Sequence, residues 1–291
     1  MITLNNYLNE ALINKNSKVQ IYKYSPKNTF ELRRILEIRL KEDKNANLND
    51  IDVSNITDMT YQIDATEKGL FRRLDPHNID VSEWNMSRVT NISYLFAGCK
   101  NFNCDLSKWD VSYVTDMTRT FLKCESFIGK GLSNWNIEEV EHVISMFCGC
   151  KNFDGKEIEN WKINNGKLTS LSGMFRNCSR LNCNLSKWDV SNIENTYGMF
   201  RRCFIFKGKG LEKWNTIKFS DVSEMFEDCN LLDVDLSNWS VKNMKELYDM
   251  FYNCYYINFD FNKWELDENA DTSDMLEGCN SLKNKPSWYK Q

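Results

Sequence analysis

Between residues 106 and 127 the apolar positions are Leu106, Trp109, Val111, Val114, Met117, Phe121, Cys124 and Phe127, with polar residues in most of the places between them. From Leu106 to Val111 the pattern alternates. Trp109 and Val111 project to one side while Lys108 and Asp110 project to the other, which predicts a short extended strand. From Val114 to Cys124 the apolar residues fall at intervals of three, four and three, the stripe of an amphipathic helix. Ser112 and Thr115 or Asp116 are suited to cap its start. One unit is therefore expected to be a strand, a short helix and a return loop.

The same skeleton returns along the chain. Nine tryptophans, Trp84, Trp109, Trp135, Trp161, Trp188, Trp214, Trp239, Trp264 and Trp288, stand 24 to 27 residues apart, and none lies outside the series. Eight of the eleven cysteines follow a Phe or Leu by three residues, from Phe96 and Cys99 to Leu276 and Cys279. A bulky residue recurring at one period marks a repeat architecture, in which each unit buries its apolar face by stacking on its neighbours. Single insertions fall between the closing Phe and the next Leu, where Gly129, Gly131, Gly155, Gly208 and Gly210 suit a return turn. No lysine followed by Ser or Thr comes after them as a phosphate loop requires.

The ends depart from the unit as caps must. Residues 1–45 carry no repeat match and read as a helical capping subdomain, with helical patterns at Leu4 to Ile13 and Thr29 to Lys41. Residues 46–285 read as the repeat array: a partial repeat at 46–60, an irregular insertion at 60–78 that loses the Phe and Cys, then about eight repeats over 79–285. At the far end Asn269 and Thr272 replace the Val and Met of earlier copies, and 286–291 form a tail.

The strings LSKWDVSYVTDMTRTF, LSKWDVSNIENTYGMF and DLSNWSVKNMKELYDMF, each followed by a Cys three residues on, resemble the BspA-like leucine-rich-repeat proteins. The closest likeness is to the 25-residue repeat family first noted in mycoplasma lipoproteins and left as a domain of unknown function. The resemblance spans residues 46–285. It implies an α/β repeat solenoid: a leucine-rich-repeat-like right-handed coil with one short parallel strand and one short helix per repeat. Such proteins occur in low-GC bacteria, their phages and some large viruses, and serve adhesion or protein recognition where a role is known. The family brings no catalytic residues.

Composition narrows the function further. A net charge of −4 gives no field that would draw the chain to nucleic acid or to anionic lipid. The start, MITLNNYLNEALINK, lacks the basic and apolar regions of a secretory signal, and no stretch approaches the roughly 18 apolar residues of a membrane span. The periodic cysteines read as buried core thiols, so a reduced, cytoplasmic setting is expected in preference to surface exposure. The two histidines, His77 and His142, read as solvated, and the Cys148–Cys150 pair is too closely spaced for a zinc knuckle. No catalytic, metal or cofactor site is expected. Asp221, Glu224, Glu227 and Asp228 read as the solvated face of the helix.

What remains is surface. The residues before each tryptophan, Glu83, Lys108, Asn134, Asn160, Lys187, Lys213, Asn238 and Lys263, and those after it, Asn85, Asp110, Asn136, Lys162, Asp189, Asn215, Ser240 and Glu265, should form two polar rows on the exposed strand face. Such rows either keep the sheet soluble, each cross-strand pair adding a few tenths of a kcal/mol, or recognise a protein partner. A patch of Tyr248, Tyr252, Tyr255, Tyr256, Phe259 and Phe261 is the second candidate surface, or else cover for the last coil. The expected function is a non-enzymatic protein-protein interaction scaffold, the alternative a surface or secreted adhesin exported by a non-classical route. Partner identity and oligomeric state stay open.

Overall fold

The apolar residues of each unit point inward, but not from a helix. The computed structural model describes residues 22–64 and 67–289. Among these, the single α-helix is α1, Thr29–Glu42, and the array carries only three-residue 3-10 turns, such as Leu132–Asn134 and Leu211–Lys213. The expected helix from Val114 to Cys124 does not form.

Its place is taken by overlapping turns. In coil one, the repeat that holds Trp84, with coils two to eight following from Trp109 to Trp264, Leu95, Ala97 and Cys99 donate their backbone N–H to the carbonyls of Ile92, Tyr94 and Phe96, three residues back, at 2.9–3.1 Å. The alternate residues Ile92, Tyr94, Phe96 and Gly98 donate across to Asp116, Thr118, Thr120 and Leu122 of coil two, at 2.7–3.0 Å. Met117, Arg119, Phe121 and Lys123 repeat the step to coil three, and the pattern continues to coil eight. Two residues four apart in every coil have positive φ, from Tyr94 and Gly98 through Arg119 and Lys123 to Asp274 and Gly278. A right-handed helix cannot accommodate them. Spacings of three, four and three serve a chain of turns as well as they serve a helix, and the inter-coil bonds decide between the two.

The strand is displaced as well. Leu106 to Val111 forms no bridge; Trp109 and Val114 close turns onto Leu106 and Val111 instead. The parallel bridges lie some seven residues after each tryptophan, as isolated pairs joining Asp58, Asn91, Asp116 and His142, then Ser170, Asn195, Asp221, Glu246 and Asp271. The tryptophan segment is a corner, and the ladder runs where the helix was expected.

Inside, equivalent residues stack in columns. Trp84, Trp109, Trp135 and Trp161 follow one another at 6.3–6.5 Å between ring centroids. Phe96, Phe121, Phe147, Phe175, Phe200, Phe226 and Phe251 do so at 5.5–5.9 Å. Every indole also donates to a carbonyl of the preceding coil, as Trp188 Nε1 does to Ile158 at 3.0 Å. The thiols have the same habit. Cys124, Cys150, Cys178, Cys203, Cys229, Cys254 and Cys279 each donate to the carbonyl of the preceding coil's Phe, at 3.0–3.2 Å. A small side chain with a weak donor fits that place, which a plain hydrocarbon would leave one bond short.

The ends are closed by side chains. Asn28 caps α1 by accepting from Glu31 N–H, and Leu32, Ile35, Leu36 and Leu40 bury its inner face. The pattern at Leu4 to Ile13 lies outside the described residues. The insertion was expected to lose the Phe but keeps it: Phe71 stacks on Phe96 at 5.3 Å and fills the Phe position one coil earlier. Within the tail, Trp288 donates to Phe261 and the Tyr289 hydroxyl accepts from Leu276 N–H. At the return edge Gly131 has φ 92° and a Cβ there would strike the backbone of Ser107. Only glycine fits.

Candidate interaction surface

The tryptophan corner presents the two rows outward, as separate rows of polar side chains. Lys108 pairs with Glu83, Lys187 Nζ donates to Asn160 at 2.6 Å, and Asn134 donates to the Ser107 carbonyl. Lys213, Asn238 and Lys263 are exposed beside them. In the second row the side-chain oxygens turn back on their own chain. Asp110 accepts from Ser112 N–H and hydroxyl, Asn136 from Glu138 N–H, Asp189 from Ser191 N–H and Asn164, and Asn215 from Ile217 N–H. These are Asx turns that hold the corner. The same bonds pull the Asp110 and Asp189 carboxyls below their ordinary range, through the Ser112 hydroxyl in the first and Asn164 in the second. Lys162 stands with Asn134, Asn136 and Asn160 around a shallow groove of about 260 Å³. The corner thus has a structural task that fully occupies much of one row.

The aromatic patch divides. Phe259 and Phe261 turn into the core against Phe251 and Trp264. Tyr255 and Tyr256 remain exposed, at 40% and 55%, while Tyr248 and Tyr252 lie half-buried on the turn ladder.

The ladder itself carries what the helical reading concealed. In each coil the residues two before, one after and two after the Phe lie beside one another on the ladder, most of them half-buried and Glu227 buried. From the insertion through coil five every charged residue at these places is a cation: Arg72, Arg73, Arg119, Lys123, Arg176, Arg201 and Arg202. From coil six to coil eight every one is an anion: Glu224, Glu227, Asp228, Asp249, Asp274 and Glu277. At the boundary the halves grip each other. Arg201 pairs with Glu224 and, at 2.7 Å, with Glu227, Arg202 with Asp228 at 3.2 Å, and the Tyr197 hydroxyl donates to Glu224 at 2.9 Å.

Beyond that seam Lys285 stands 3.8 Å from Glu277. Burial, with Asp274 and Glu224 nearby, raises the Asp249 carboxyl above its ordinary value. Burial likewise raises Glu227, against the pull of Arg201 and with a further push from Glu224 and Asp228. Tyrosines stand among the charges, with Tyr94 receiving a hydrogen bond from Arg119 and lying under its guanidinium. The signal was present in the sequence as columns of charge. A 3.6-residue period disperses it around a cylinder.

Among the described residues no group of three or more His, Cys, Asp or Glu is placed to hold a metal, and no helix is long and apolar enough to cross a membrane. The family model of the mycoplasma proteins of unknown function, DUF285, matches residues 10–127, 65–169 and 169–289. The chain belongs to that family. No curated protein matches its sequence. One solved structure, "Crystal structure of TLR13-ssRNA13 complex", aligns over 90% of this chain and 52% of that one, at 10% identity and a TM-score of 0.20. This chain thus spans about half of that neighbour's length, and the likeness is too slight to bear on the fold.

Proposed function

We propose that this member of the DUF285 family is a non-enzymatic repeat solenoid of the BspA-like, leucine-rich-repeat kind, and that it binds a protein partner through the turn ladder. One observation carries the reading: at the three ladder positions around the Phe, seven cations sort into one half of the stack and six anions into the other, while the bridge row beside them carries Asp58 and Asp116 in the first half. Charges that served solubility alone would be interspersed, since mixing signs lowers their mutual repulsion. The tyrosines and arginines of the face belong to the residue types that anchor protein interfaces. The column of buried thiols suits a reducing compartment. The test is crosslinked capture from the native host with three baits: the unaltered chain, a ladder variant with Arg176→Glu and Asp249→Lys, and a corner variant with Lys187→Glu and Lys213→Glu. Captured protein should disappear with the ladder variant and persist with the corner variant. The opposite outcome moves the surface to the tryptophan corner, and capture by all three baits overturns both assignments.

A further inference from the structure

A face that is basic over one half and acidic over the other is complementary to itself, in one orientation only. Two copies can meet face to face about a two-fold axis lying between them. An axis parallel to the stack sets cations on cations. An axis across the stack reverses one copy and sets basic coils on acidic ones. The sign changes between coils five and six, and an axis crossing the face at that line sets coil five on coil six and coil four on coil seven, with coil two and the insertion beyond the overlap. We infer that the turn ladder binds a second copy of this chain in this antiparallel arrangement, an inference that rests on reading the ladder as an interaction face.

A second, independent pattern centres on the same part of the stack. The two residues after each core cysteine are polar in most coils, such as Glu125 and Ser126 or Ser179 and Arg180. In coils five to seven they form an exposed apolar stripe beside the ladder, with Phe204 43%, Ile205 40%, Leu231 37%, Tyr255 40% and Tyr256 55% exposed. An axis running across the stack keeps each residue's place within its coil. Coil five therefore meets coil six of the second copy, bringing Phe204 and Ile205 to Leu231. Coil four meets coil seven, bringing Arg176 to Asp249 and Arg180 to the rings of Tyr255 and Tyr256, where a guanidinium over an aromatic face is favourable. One operator satisfies both the charges and the stripe.

Sedimentation equilibrium of the full chain measures this directly. The expected mass at about 50 mM salt is twice 34.4 kDa, and raising salt to about 500 mM, where the Debye length falls to a few ångströms, weakens the dimer roughly tenfold or more. A basic-half variant, Arg176→Glu with Arg202→Glu, is expected to be monomeric. So is an acidic-half variant, Asp228→Lys with Asp249→Lys. Mixed together, the two set the new anions of one at positions 176 and 202 on the new cations of the other at positions 249 and 228, and should form a heterodimer. A single-chain mass for the unaltered protein at every salt concentration overturns the proposal, as does a dimer indifferent to salt. If the variants do not fold, the salt series on the unaltered chain decides alone. Should the chain prove monomeric while the ladder variant still loses its captured partner, the interaction face stands and only its occupant changes. If both measurements are negative, both readings fall.

Discussion

Ten of the eleven cysteines are buried and all are free, and Cys148 alone stands partly open to solvent on the turn ladder. Burial pushes the thiols up, Cys104 to about 11 and Cys183 and Cys279 to about 12, so at neutral pH they hold their protons, and Cys279 donates its own to the Phe251 carbonyl. A thiol that cannot ionise cannot attack an alkylating reagent. Brief iodoacetamide treatment of the native chain near pH 8 should therefore modify Cys148 first, slowly because burial raises that thiol too. Peptide mapping checks this, and rapid labelling of the periodic cysteines without denaturant would show that the columns open. The cysteine period was legible in the sequence, and so was its burial. Its bond to the Phe carbonyl was not, because that carbonyl belongs to a residue 28 to 31 positions away that only the stacking brings near.

At the scale of the element, the unit is three corners of Asx turns joined by a ladder. Asp105 accepts from Ser107, Asp110 from Ser112 and Asp116 from Thr118, and equivalent bonds recur in most coils. The sequence told which side chains enter the core, since Leu106, Trp109, Val111, Val114, Met117 and Phe121 are all buried. It misled on the backbone because inward spacing does not distinguish a helix from linked turns; the Asp and Asn residues two before a Ser or Thr were the clue to turns. The corner carboxyls also set a pH dependence. Lys130, together with Ser107, holds Asp105 at about 2, and hydrogen bonds lower Asp110, Asp189, Asp235 and Asp271. Depressed carboxyls contribute stability that is complete above their unfolded value of about 4 and is lost as pH falls through the folded one. Glu227 and Asp249, raised by burial, contribute in the other direction: their stability is complete below about 4 and lost as pH rises through their folded values. The melting temperature should thus be greatest in mildly acid solution, near pH 5, and drop steeply below pH 4. Replacing Asp110 and Asp189 by Asn, the residue that stands at the same place in Asn136 and Asn215, should preserve the neutral melting temperature and soften the acid fall. An unchanged acid limb in that variant would mean the corner carboxyls do not set it.

Across the whole molecule the backbone bonds have a direction. Between successive coils the ladder sends three or four N–H groups from the earlier coil to the later one, as from Thr196, Gly198, Phe200 and Arg202 to coil six, while bonds such as Ser220 to Glu194 and Asp233 to Lys207 run back. The forward peptides outnumber the returning ones, so their dipoles add along the stack as peptide dipoles do along a helix, with N–H groups directed at the last coil and carbonyls at the first. Cations are then favoured at the early coils and anions at the late ones, which is the order the ladder follows. The field explains which half is basic; it does not explain why the charges keep to one face that a second copy could cover. The two contributions separate by concentration. Reversing Arg119, Lys123, Asp274 and Glu277 together preserves a two-signed face but opposes the dipole, and should lower the melting temperature of the dilute monomer by a few degrees, at about 0.3 to 1 kcal/mol for each charge near a dipole end. That loss does not depend on protein concentration and shrinks in salt. Stabilisation by a second copy grows with concentration because association is linked to folding by mass action. Melting curves over a hundredfold range of protein concentration, for the unaltered and reversed chains, therefore resolve the backbone field from the interface, and a reversed chain as stable as the original at high dilution would remove the field as a cause of the segregation.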